Sequence, residues 1–76
     1  MHIYQNTNDQ SKVMFLSKET HKIKVDSKGK QSKVKLDEDI LKFKYTESQT
    51  KQGKEVEFKR SEFERLVKQK MFVRVN

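Results

Sequence analysis

Apolar residues recur at every second position through much of this chain, the spacing that places them on one face of a β-strand. Lys22-Ile23-Lys24-Val25 and Lys33-Val34-Lys35-Leu36 flank the segment Asp26-Ser27-Lys28-Gly29-Lys30-Gln31. Alternation on both sides of a glycine-bearing turn predicts a β-hairpin. After Asp37-Glu38-Asp39, read as a charged turn, Leu41-Lys42-Phe43-Lys44-Tyr45 resumes the alternation and predicts a third strand continuing the meander. Val13-Met14-Phe15-Leu16 is an unbroken apolar run, which suits a strand buried on both faces or lying at a bend. Ile3-Tyr4 suggests a short opening strand before a loop rich in turn formers, and residues 47–53 form a second polar, unpatterned loop.

The pattern changes in the last third. A short alternating strand, Val56-Glu57-Phe58, precedes Ser61-Glu62-Phe63-Glu64. That order is a capping box, in which Ser61 and Glu64 satisfy each other's backbone N–H groups and start a helix of about ten residues. Phe63, Leu66, Val67 and Met71 then fall on one face. Acids occupy the first turn and Lys68 and Lys70 follow in the last, the order that the helix dipole favours. Phe72-Val73-Arg74-Val75 closes the chain as a strand with an apolar edge, open to pairing with a second copy or another protein. The expected fold class is α+β: an antiparallel sheet of about five strands, open or curled into a small barrel, with one short helix before the last strand.

Size limits what such a fold can hold. Seventy-six residues form one domain, 1–76, that buries only about 60% of the surface its unfolded chain exposes. Val, Ile, Leu and Phe together number 19, just above the level at which charged chains stay disordered. No cysteine is present, so neither disulfides nor thiolate–metal bonds supplement this core, and a reducing cytoplasm suits the chain. The longest apolar run is far below the ~20 residues of a membrane span, and the N-terminus does not read as a signal peptide. A cytoplasmic protein with no membrane contact is the expectation. The lack of alanine and proline, with abundant Lys, Ser, Gln and Asn, is a composition that suits an AT-rich bacterial or phage genome.

Charge sharpens the picture. The net charge is +7, and residues 11–36 hold eight cations against two acids. With the three alternating runs side by side, Ile23, Val25, Val34, Leu36, Leu41, Phe43 and Tyr45 would face the core. Lys22, Lys24, Lys33, Lys35, Lys42 and Lys44 would then line the opposite face, with Lys28 and Lys30 at the hairpin tip. Such a face is a platform for phosphates, because each neutralised phosphate releases counterions. It is equally a soluble, aggregation-resistant sheet face. The like-charge repulsion that a one-sided face would carry favours a compensating partner.

Other chemistry finds little support. His2 and His21 are far apart and lack neighbouring ligands, so no metal site is expected. Asp37-Glu38-Asp39 lacks the further oxygen ligands and the glycine of a calcium loop. No Ser–His–Asp spacing or glycine-rich phosphate loop occurs, so neither catalysis nor a cofactor is expected. The aromatic residues belong to core positions, which removes base-stacking platforms, and arginine occurs only as Arg60, Arg65 and Arg74. The helix has no preceding helix to complete a helix-turn-helix, and Glu62 and Glu64 would repel phosphate. The leading expectation is therefore a small non-enzymatic protein that binds DNA or RNA through backbone contacts, with modest specificity. The alternative is a protein-interaction module, such as a phage or mobile-element inhibitor of a host factor, which docks an acidic surface or pairs through an edge strand. A structural role through self-association, as a homodimer through the C-terminal strand, is a third reading.

Overall fold

Residues 12–25 and 31–47 contain no glycine, proline or asparagine, and each runs on as a single strand much longer than the alternating segments within it. The structure, a computed structural model, describes residues 2–76. Its elements are β1 (Ile3–Asn6), β2 (Lys12–Val25), β3 (Gln31–Glu47), β4 (Glu55–Lys59), α1 (Arg60–Lys68) and β5 (Phe72–Arg74). All strands join one antiparallel sheet in the order β4-β3-β2-β1-β5. The α+β class with one short helix before the last strand is thus the fold, and the sheet is open, with β4 and β5 as edges.

The strand assignment differs from expectation in two respects. The Val13–Leu16 run and Lys22–Val25, read as separate strands, are one strand, β2. Leu41 to Tyr45 is not a third strand beside the hairpin but the continuation of β3, and it pairs with the Val13–Phe15 part of β2. The reason is that no glycine, proline or asparagine interrupts residues 31–47. Asp37-Glu38-Asp39 is accordingly no turn. It lies where the β2–β3 register slips: Glu19 opposes Ile40, and the next pair is His21 with Lys35, so Thr20 alone spans residues 36–39. A bulge of this kind leaves strand residues free to reach other elements.

Those freed acids anchor the helix. The capping box does not form, because α1 begins at Arg60 and Ser61 is already inside its first turn. Lys59 occupies the cap position with extended backbone and no side-chain cap. Instead the Ser61 N–H donates to Glu38 Oε1 at 2.8 Å, which satisfies one of the free donors of the first turn. Glu64 accepts from Arg60 Nε at 3.0 Å, and Asp39 lies 3.6 Å from Arg60 and 4.0 Å from Lys18.

The helix covers one end of the sheet. Val13, Phe43, Phe63 and Phe72 are the buried core. The Phe63 ring of α1 stacks on Phe43 with centroids 4.6 Å apart, and Tyr4 meets Phe63 edge-on at 5.0 Å. Leu66 and Val67 join this cluster as their spacing implied, whereas Met71 falls beyond the helix and is exposed. Leu41, Phe43 and Tyr45 face the core as expected. Ile23, Val25, Val34 and Leu36 do not: β1 pairs only with residues 12–14 of β2 and β4 only with residues 40–44 of β3, so no strand flanks the distal half of the hairpin.

The hydrogen bonds from Ser61 hold the Glu38 carboxyl below the ordinary glutamate value. Stability linked to a lowered pKa is present above the unfolded-state value and is lost as pH falls through the folded-state value. The urea midpoint of Glu38→Gln should therefore fall less on acidification than that of the parent. A residual fall is expected from Asp9, whose carboxyl Ser11 holds low in the same way. Superimposable pH profiles of parent and variant would show that the helix does not depend on this contact.

Candidate nucleic-acid interface

Beyond the bulge, β2 and β3 continue as a two-stranded ribbon from the His21–Lys35 pair to the Val25–Gln31 pair. Five paired positions at about 3.4 Å per residue give an arm of about 17 Å before its turn. The molecule is correspondingly elongated, 47 × 25 × 20 Å. At the tip Asp26 organises the turn: its Oδ1 accepts the N–H groups of Lys28 at 2.9 Å and Lys30 at 2.8 Å. Its backbone N–H donates to the Lys30 carbonyl at 3.0 Å. Gly29 adopts φ +79°, the left-handed conformation that side chains disfavour, which is why glycine serves at this point.

Six of the eight lysines expected to form the interface are in this arm: Lys22, Lys24, Lys28, Lys30, Lys33 and Lys35, all exposed. Among the described residues none of them is in an ion pair. The only acid of residues 21–35, Asp26, is occupied by the turn. Six lysines against one aspartate leave +5 on the arm, out of +7 for the whole chain.

Lys42 and Lys44 do not belong with them. They lie in the base of the sheet, on the side away from the helix, because their neighbour Phe43 points into the core. Lys42 bonds Glu19 at 2.8 Å and approaches Glu57 at 3.7 Å. The Glu19 hydrogen bond holds the ammonium's pKa above the ordinary lysine value. Lys44 stands directly opposite Met14 on one side and Glu55 on the other. Acids from β2 and β4 thus interleave with the very lysines that were expected to be free.

The six arm lysines do not share a face either. Residues directly opposed in an antiparallel pair project to the same side. Lys22 opposes Val34 and Lys24 opposes Ser32, while Lys33 opposes Ile23 and Lys35 opposes His21. Each strand alternates as its sequence shows, but the register offsets the two alternations by one. Lysines therefore project from both faces of the ribbon, and in no pair does lysine oppose lysine. The cost of like charges facing one another is avoided by the register itself.

A groove of about 460 Å³ lies between α1 and the sheet, with Tyr4, Phe15, Leu41 and Val67 among its apolar walls and His2 also lining it; another, of about 500 Å³, lies at the root of the arm beside Glu19, His21 and Lys33. The cationic rim of the first is largely matched internally, Arg60 by Glu64 and Asp39 and Lys18 by Asp39. His21, the other imidazole, lies at the root of the arm, with Nδ1 2.8 Å from the Thr20 hydroxyl. β5 is bonded to β1 along one side only, with Val75 exposed beside it. Among the described residues no helix is long and apolar enough to cross a membrane.

Comparison with known proteins found no match to a protein family, a curated protein or a solved structure.

Two-stranded ribbons without a packed face open easily. Amide hydrogens of residues 22–25 and 31–34 should exchange at least about tenfold faster than those of residues 13–15 and 43–45, as read by mass spectrometry or NMR. Uniform protection along β2 and β3 would mean that the arm shares the cooperative unit of the core.

Proposed function

We propose that this chain is a non-catalytic nucleic-acid-binding protein of the cytoplasm that grips the phosphate backbone with the β2–β3 arm. The observation that carries the reading is the segregation of charge. Five of seven net positive charges project on a ribbon that the core does not use, and among the described residues no carboxylate forms an ion pair with them. Twelve cations and ten acids make up the rest of the chain, so the base is nearly balanced.

Unpartnered ammonium groups on flexible stems suit a ligand whose charge is repeated along a line. A nucleic-acid backbone provides this, with a phosphate about every 3.4 Å along each strand. Lysines on both faces and at the tip let the ribbon meet phosphates on either side of it. Backbone contacts of this kind bind by counterion release, and six of them on duplex DNA correspond to a slope of log K against log salt near about −5.

Fluorescence anisotropy with labelled duplex DNA, single-stranded DNA and RNA across a salt series tests the assignment. The parent should show the steep slope on at least one of them. The variant Lys22→Gln/Lys24→Gln/Lys33→Gln/Lys35→Gln should reduce it to about −2, and Lys42→Gln/Lys44→Gln should leave it within about one unit of the parent. Equal binding by parent and arm variant would remove the arm from the interface. No binding to any nucleic acid, alongside tight binding to an acidic protein, would favour the interaction-module reading.

A further inference from the structure

The register that splits the lysines also sorts the remaining arm residues. One face carries His21, Ile23, Val25, Gln31, Lys33 and Lys35; the other carries Lys22, Lys24, Ser32 and Val34. The first face holds the two most exposed large aliphatic side chains of the described residues, Ile23 at 64% and Val25 at 59%. Nothing in the fold covers them. Their β-branching favours the strand, but threonine would serve that end without exposing so much apolar surface.

We infer that this face enters the major groove of duplex DNA and reads base edges, an inference that rests on the nucleic-acid reading above. The side chains match what the groove displays. Gln31 can pair in bidentate fashion with adenine N6 and N7, Lys33 and Lys35 can donate to guanine O6 and N7, and Ile23 and Val25 offer apolar contact to the thymine methyl. From the opposite face and the tip, Lys22, Lys24, Lys28 and Lys30 reach the flanking phosphates, so on its preferred duplex the salt slope drops from that of six phosphate contacts to about −3.6, that of four.

Geometry selects the duplex. The B-DNA major groove, about 12 Å wide, admits a two-stranded ribbon, whereas the deep and narrow groove of A-form RNA does not let side chains read it. Single strands are bound on exposed aromatic rings, and all seven aromatic residues here belong to the core cluster. An arm of about 17 Å covers about five base pairs.

The test separates this inference from the one beneath it. The full chain selects from a randomised duplex pool at a salt concentration that suppresses backbone-only binding. An enriched motif of about five base pairs is expected. Replacing its thymines by uracil should weaken the parent about fourfold for each lost methyl contact. Ile23→Thr/Val25→Thr, which keeps β-branched residues in the strand, should no longer distinguish thymine from uracil. Gln31→Ala should relax preference at one position by about 5- to 150-fold. A pool that emerges unenriched, or uracil and thymine duplexes bound alike by the parent, overturns base reading. If the salt slope still depends on the arm lysines, backbone binding survives that result. If the parent binds no nucleic acid, both fall.

Discussion

The pairing of β2 with β3 decides everything else in this molecule. Two strands of 14 and 17 residues are joined to neighbours of three to five, so the flanking strands and a nine-residue helix cover only part of the ladder. Where they cover it, an aromatic cluster around Phe43 and Phe63 forms the core. Where they do not, the same two strands become an uncovered ribbon. The three-residue surplus of β3 at the bulge separates the two regimes, and its acids tie the bulge to the helix through Glu38–Ser61 and Asp39–Arg60. A small chain of this composition cannot extend its core further, since 19 strongly apolar residues are nearly all it has.

Much of this organisation is written in short-range pattern. The helix face of Phe63, Leu66 and Val67 follows from their spacing, and the hairpin turn follows from alternation around Gly29. What alternation does not carry is register. Period two states which residues of one strand share a face, yet a shift of one residue against the partner strand exchanges the faces. Ile23 opposite Lys33, rather than opposite Val34, is enough to break up the expected lysine face. The length of β3 was legible in principle, through the absence of glycine, proline and asparagine from residue 31 to residue 47, but the acidic triplet Asp37-Glu38-Asp39 imitated a turn. Glu38 then accepts the Ser61 N–H, the role that local sequence gave to the Glu64 carboxylate, a contact across 23 residues that no local motif encodes.

The electrostatic result is a division of labour within one alternating pattern. In the base, Lys12, Lys18 and Lys42 meet Glu47, Asp39, Glu19 and Glu57, and these lysines serve to balance the sheet. Exposed pairs of this kind contribute little stability. Their significance is that they consume charge in the centre of the sheet, while +5 of the net +7 lies on the arm. The arm lysines are unpaired among the described residues, projected away from the core and interleaved with Ile23 and Val25.

The direct test is an NMR titration of the ¹⁵N-labelled chain with a short DNA duplex at low salt. The account predicts that shift changes concentrate in residues 21–35 and are largest for Ile23, Val25, Gln31 and the lysines beside them, with the sheet base unmoved. Changes centred on Lys42 and Lys44, or on the groove around Tyr4, Phe15 and Val67, with a silent arm, would contradict it.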